Sequence, residues 1–121
     1  DSGLKAEEID LILVATSSSE TVFPNTSCEV QKAIGAVHAW GYDLNAACSG
    51  FILALNTAQS YIRSGLVKTA LVIGAEKMSR IIDRIKYLPY ATVMLTYVMH
   101  LEHHISCYIH VHILQETDFL S

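Results

Sequence analysis

The sequence lacks glycine in its last third. The chain holds six glycines, and none of them follows Gly74. Five of the six histidines, in contrast, lie at or beyond His100. Glycine is the residue that most readily forms tight turns, so its absence removes the usual means of reversing the chain. The change in composition indicates that the chain has two parts of different character.

Cysteine, basic residues and long apolar runs are also scarce. Three cysteines are an odd number and too few for a disulfide framework, so we expect a reducing compartment. Eight basic residues against 12 acidic ones do not indicate a nucleic-acid-binding surface. The longest uncharged run, residues 87–101, contains Pro89 and is shorter than the roughly 20 apolar residues of a membrane span. We expect neither a nucleic-acid partner nor a membrane, and no signal peptide is recognisable.

Apolar residues are abundant, and they are ordered. They make up 51% of the chain and charged residues 17%, which excludes intrinsic disorder, and 121 residues allow one domain. The continuous apolar run at residues 11–15 predicts a strand buried on both faces, as in a parallel sheet. Residues 42–46 and 69–74 predict a second and a third strand.

Two helices are predicted between these strands. Asn25 or Thr26 can cap a helix that ends at Gly35. Residues 50–64 predict a second helix, whose expected buried stripe is Phe51, Leu55, Ala58 and Ile62. The order strand, helix, strand, helix, strand predicts an α/β layered fold.

Beyond Asp83 the sequence is less informative. Its β-favouring residues predict strands. His100 and His104 would share a helix face, whereas His110 and His112 would share a strand face, and either pair could contribute to a zinc site. A His-rich metal-binding module is therefore one alternative function. Because no carboxylates or glycine turns organise these histidines, we expect no metal site.

Cys48 is the main candidate functional residue. It lies between a predicted strand and a predicted helix, in the segment DLNAACSGF of residues 43–51. Unpaired N–H groups at a helix start favour a thiolate, and those of this turn could also receive an oxyanion. The alternative is a buried free cysteine that packs as a small apolar residue. Asn45 and Ser49 are expected to shape the turn without transferring protons, and His38 is expected at the surface.

Residues 43–51 resemble the nucleophile turn of the β-ketoacyl-acyl carrier protein synthase III family, which belongs to the thiolase-like condensing enzymes. The resemblance runs from about residue 9 to residue 83 and includes YIRSGLVKTALVIGAE at residues 61–76 and SRIID at residues 79–83. Several ordered motifs at consistent spacing carry it, so it does not depend on one cysteine.

The resemblance implies a fold of the thiolase-like class. That family builds two similar α/β halves into a layered subunit, and this chain resembles most of the first half. We therefore expect a partial thiolase-like layered α/β fold in residues 1–83, which carry the nucleophile turn. Residues 84–121 are expected to form a divergent tail of uncertain origin.

The resemblance also implies a reaction in fatty acid biosynthesis. Cys48 would take an acyl group from acyl-CoA, commonly acetyl-CoA, and the acyl group would then condense with malonyl-acyl carrier protein. Phe23 resembles the family's phenylalanine that crosses a homodimer interface to line the partner's acyl pocket; otherwise it would pack in its own core. No cofactor is implied, and the expected compartment is the cytoplasm, or a plastid in a plant or alga.

The family's catalytic histidine and asparagine come from its second half, which this chain does not contain. The chain alone is therefore expected to accept an acyl group but not to complete the condensation. Other acyl-CoA condensing enzymes, such as a polyketide or hydroxymethylglutaryl-type synthase, remain alternatives, and so does a non-catalytic remnant.

Overall fold

The computed structural model describes residues 3–76 with their side chains, and residues 92–102 and 104–114 by their backbone. The elements are β1 (Leu11–Ala15), α1 (Thr26–Ile34), β2 (Trp40–Leu44), α2 (Gly50–Arg63), β3 (Thr69–Glu76), β4 (Thr92–Glu102) and β5 (His104–Leu114). Two short 3-10 turns, Ala6–Glu8 and Ala47–Ser49, precede β1 and α2. The predicted order of three strands and two helices is confirmed, and strands are also present in the predicted tail.

The five strands form one mixed sheet in the order β2-β1-β3-β4-β5. β1 pairs in parallel with β2 on one side and with β3 on the other. β4 is antiparallel to β3 and β5 is antiparallel to β4, so the tail strands extend the sheet of the first part of the chain. The division of the chain at residue 83 stays a prediction.

β1 is the buried centre of this sheet. All five of its residues are buried, as its apolar run predicted. Leu11 and Leu13 face a cluster formed with α2, whereas Ile12 and Val14 face a cluster on the side of α1. The described residues therefore form three layers, with one helix on each face of the sheet.

Two details of the sequence prediction are wrong. β2 occupies Trp40–Leu44 rather than residues 42–46, because Trp40 pairs with Leu11 while Asn45 leaves the strand for the turn that follows. The buried stripe of α2 is Gly50, Ala54, Ala58 and Ile62, with Phe51 and Leu55 only partly buried. Three of these four residues are small, which allows α2 to pack closely on β1.

The start of α1 is fixed by two side chains. The Asn25 side chain accepts the Cys28 N–H at 3.1 Å, which confirms the predicted cap. Asp43 of β2 accepts the Thr26 and Ser27 N–H groups, each at 2.8 Å. A carboxylate at this end also interacts favourably with the helix dipole, so Asp43 joins α1 to the sheet.

A cluster of three aromatic side chains packs α2 against β2. The Tyr42 and Tyr61 hydroxyl oxygens are 3.3 Å apart, and the Trp40 ring centroid lies 5.8 Å from that of Tyr61. Burial, followed by the hydrogen bond with Tyr61, raises the pKa of Tyr42 to about 12. The neutral phenol is therefore the form that this packing stabilises.

Removing the Asp43 carboxylate should destabilise the chain. We expect Asp43→Ala to lower the free energy of unfolding by about 2–3 kcal/mol, because two N–H groups lose a charged acceptor. Urea unfolding followed by circular dichroism measures this. Glu7→Ala, which removes an exposed carboxylate, is the matched control and should change the stability by less than about 0.5 kcal/mol. Equal stability of the two variants would contradict the role of Asp43.

The Tyr42 hydroxyl should make stability depend on alkaline pH. The unfolded chain releases this proton near the usual pKa of 10.0, whereas the folded chain keeps it to about 12. The unfolded state is therefore favoured increasingly as the pH rises through that window. Urea midpoints at about pH 9 and about pH 11 should differ less in Tyr42→Phe than in the parent chain. The same pH dependence in both proteins would be the contrary result.

Candidate active site

The candidate site lies at one edge of the sheet. β1, β2 and β3 are parallel, so their carboxyl ends meet at this edge. The chain passes from β1 to its neighbour β2 and returns to β3 on the other side of β1. Such a reversal opens a crevice beyond the carboxyl ends of the strands, which is where open α/β sheets bind ligands.

Cys48 lies at this edge, in the turn that joins β2 to α2. Its thiol is free and exposed, so the alternative of a buried, packed cysteine is wrong. The turn Ala47–Ser49 forms a single 3-10 turn, and α2 begins at Gly50. The start of α2 lies close to β1 at Gly50. A Cβ at this position would be 3.3 Å from the Ala15 Cβ, so glycine allows the two elements to approach each other.

The backbone of the turn is strained at Ala47. Its φ of 45° is in the left-handed region, which residues with a side chain rarely adopt. The Ser49 N–H donates to the Ala46 carbonyl at 3.1 Å, the Ser49 hydroxyl donates to the same oxygen at 2.8 Å, and the Gly50 N–H donates to the Ala47 carbonyl. Ser49 thus shapes the turn, as expected. The N–H groups of Ser49 and Gly50 close the turn and are not open to an oxyanion.

A cavity of about 140 Å³ opens beside Cys48. It is lined by the ends of β1 and β3, the turn and the first turn of α2: Ala15, Ala47, Cys48, Phe51, Gly74, Ala75 and Glu76. Gly74 allows the Phe51 ring to lie against β3, because a Cβ at Gly74 would come within 2.9 Å of that ring. The wall next to the thiol is therefore mainly apolar.

A hydrogen-bonded network joins the ends of the three parallel strands. Glu76, the last residue of β3, accepts the Ser17 N–H at 2.6 Å and the Ser18 hydroxyl at 2.7 Å. The Ser17 hydroxyl donates to the Asn45 side-chain oxygen at 2.7 Å. Asn45 thus has the shaping role expected of it. Sequence reasoning missed Glu76 and Ser17; the available signal was a carboxylate that ends an otherwise uncharged strand.

Phe23 is exposed at the surface of the described part of the chain. Its side chain is 92% exposed and that of the adjacent Val22 is 94% exposed. The alternative that Phe23 packs in its own core is therefore wrong. Phe23 is not among the residues that line the cavity beside Cys48, so within this chain the two predicted site residues are not brought together.

His38 is the one histidine within residues 3–76, whose side chains the structure describes, and it does not line the cavity beside Cys48. His38 is exposed, as expected. The proposed helical pair is wrong, because His100 belongs to β4 and His104 to β5. His103 lies outside the described residues. Among the residues that were searched, no cluster of three metal-ligating side chains is present, and neither described helix has the length and hydropathy of a membrane span.

The described residues form a mixed sheet between two helices with a cysteine turn at its carboxyl edge, and this fold is similar to that of the thiolase-like condensing enzymes. Two solved structures share this fold. The 3-oxoacyl-[acyl-carrier-protein] synthase III of Aquifex aeolicus has a TM-score of 0.64 and 50% identity, covering 66% of this chain and 26% of that chain. The priming β-ketosynthase of the R1128 polyketide pathway has a TM-score of 0.65 and 38% identity, covering 67% and 24%.

Sequence comparison leads to the same family as the comparison with solved structures. The family described as 3-oxoacyl-[acyl-carrier-protein (ACP)] synthase III matches residues 42–95. The β-ketoacyl-[acyl-carrier-protein] synthase III of Chlorobium phaeovibrioides is 59% identical over 81 residues, which are 67% of this chain and 25% of that protein. The chain belongs to the β-ketoacyl-[acyl-carrier-protein] synthase III family. It spans about a quarter of the length of the curated relatives that it matches.

A side chain at Gly74 should disturb the cavity wall. We expect Gly74→Ala to lower the free energy of unfolding by about 1–2 kcal/mol, because its methyl group meets the Phe51 ring. Urea unfolding of Gly74→Ala, Phe51→Leu and the double variant measures the coupling. The double variant should lose less free energy of unfolding than the sum of the losses in the two single variants. If the losses in stability are additive, the effect of Gly74→Ala does not depend on its contact with the Phe51 ring.

Proposed function

We propose that this chain carries the acyl-accepting part of a β-ketoacyl-acyl carrier protein synthase III, an acyltransferase of fatty acid biosynthesis. The observation that supports it most strongly is an exposed cysteine in a strained turn at the carboxyl edge of the sheet, inside the segment that matches the family. An exposed thiol at the start of a helix can reach a large substrate such as a coenzyme A thioester.

In the first proposed step, the Cys48 thiolate attacks the carbonyl carbon of acetyl-CoA. The new carbon–sulfur bond forms as the bond to coenzyme A breaks, and coenzyme A leaves as the thiol after taking up a proton. Covalent catalysis of this kind divides one difficult transfer into two easier ones.

In the second proposed step, malonyl-acyl carrier protein loses carbon dioxide. The resulting carbanion attacks the acyl carbon on Cys48, forms the β-ketoacyl product on the carrier protein and releases the cysteine. The family's histidine and asparagine for this step have no counterpart in the matched segment. We therefore assign the first step to this chain. No metal or organic cofactor takes part in either step, and the proposed compartment is the cytoplasm.

The exposed side chain of Phe23 supports a homodimer. An aromatic ring that is 92% exposed, next to Val22 at 94%, is unfavourable in water. In the proposed dimer Phe23 lines the acyl pocket of the partner subunit and loses this exposure. The acyl carrier protein is the second proposed partner, because it delivers the malonyl group.

A second candidate is an acyl-CoA condensing enzyme of polyketide synthesis. The similarity to the R1128 priming β-ketosynthase, at 38% identity, favours it. The two candidates share the acylation of Cys48 and differ in their preferred acyl group. Competition between acetyl-CoA and longer acyl-CoA thioesters for the same cysteine would separate them.

Acylation of the chain by radiolabelled acetyl-CoA tests the first step. We expect one label per chain that is released by neutral hydroxylamine, as a thioester is, and we expect at least a tenfold loss of label in Cys48→Ala. Scintillation counting and peptide mass spectrometry give the amount and the position of the label.

Cys28→Ala is the matched control, because Cys28 is also free and exposed but lies in the first turn of α1. It should retain the label. Label that persists in Cys48→Ala would reject Cys48 as the nucleophile. A folded chain that takes up no label would favour the non-catalytic remnant.

A further inference from the structure

We propose that Glu76 is a positioning residue that holds the Cys48 turn in its reactive geometry, acting through Ser17 and Asn45. The proposal rests on the proposed role of Cys48 as the acyl acceptor. It assigns a function to a carboxylate that lines the same cavity as the thiol.

The contacts form a continuous path across the three strand ends. The two oxygens of Glu76 accept from the two residues that follow Thr16, namely the N–H of Ser17 and the hydroxyl of Ser18. The hydroxyl of Ser17 then donates to Asn45, which leaves β2 three residues before Cys48. β3 therefore controls the position of the turn by way of the loop after β1.

The two hydrogen bonds that Glu76 accepts are short and partly shielded from water. Their lengths of 2.6 and 2.7 Å lie at the short end of the range for hydrogen bonds. Both bonds are partly buried, so water competes less for the carboxylate.

The turn needs this support because Ala47 is strained. A left-handed φ is unfavourable for a residue with a Cβ, and such a conformation persists only where the surroundings determine it. Asn45 lies two residues before Ala47 and is held by Ser17 at 2.7 Å. If that hold were lost, Ala47 could relax and Cys48 would move away from its position beside the cavity.

The charge of Glu76 is not the reason for its role. Gln at this position keeps an acceptor for the Ser17 N–H and an amide group that can donate to the Ser18 hydroxyl. Glu76→Gln and Glu76→Ala therefore separate geometry from charge.

The first test measures the rate of Cys48 acylation by acetyl-CoA in the full 121-residue chain. We expect Glu76→Ala and Ser17→Ala each to slow acylation about tenfold, because small misplacements of reacting groups have large effects on rate. Glu76→Gln should retain at least half of the parent rate. Ser60→Ala removes a hydroxyl that donates to Asn56 on the exposed side of α2, and it is the matched control.

The double variant Glu76→Ala/Ser17→Ala shows whether the two residues act along one path. If they do, it is as slow as either single variant, whereas independent effects would multiply to about a hundredfold. Alkylation by iodoacetamide at a pH where the thiol is fully ionised should be nearly unchanged in all variants, because that small reagent needs no positioned turn. Multiplying effects, or a Glu76→Gln variant as slow as Glu76→Ala, would overturn the proposal.

Amide hydrogen exchange tests positioning without any acyl transfer. The Ser49 and Gly50 N–H groups close the turn, so their exchange reports its opening. We expect Glu76→Ala to speed their exchange about tenfold while Leu13 in β1 is unaffected. Unchanged exchange at both amides would overturn the proposal. A parent chain that takes up no acetyl group would instead reject the proposed function and leave this measurement as the test of positioning.

Discussion

The burial of β1 on both faces, with parallel neighbours on both sides, is the constraint on which the rest of the structure depends. Its apolar residues can be removed from water only if a helix covers each face of the sheet. Parallel pairing with β2 and β3 then brings three carboxyl ends to one edge. The cysteine turn, the cavity and the network of Glu76 all lie at that edge.

Carboxylates fasten the ends of these strands. Asp10 accepts the Lys68 and Thr69 N–H groups at the start of β3, Asp43 holds the first turn of α1, and Glu76 holds the loop after β1. Each of them accepts backbone N–H groups at the end of a strand, at the start of a helix or in a loop that follows a strand. Part of the acidic excess of the chain therefore serves the fold rather than the surface.

The proposed chemistry uses the same architecture. A strained turn supplies an exposed thiol, a small apolar cavity lies next to it, and polar bonds from two neighbouring strands limit how far the turn can move. Rigid support of this kind is what allows a nucleophile to meet a substrate in a productive geometry. If the turn were mobile, part of the free energy of substrate binding would be needed to order the cysteine.

The sequence by itself determined the order of elements, the double burial of β1, the Asn25 cap and the place of Cys48 between a strand and a helix. Apolar periodicity and capping are local signals, so they can be read from neighbouring residues. Only the tertiary structure decided that β1 lies between β2 and β3 and that Asp43 reaches α1. It also decided that Ala54 is buried more deeply than Phe51 in α2 and that Glu76 reaches Ser17. These pairings join residues as far as 59 positions apart, and they depend on how the layers pack, which no local pattern encodes.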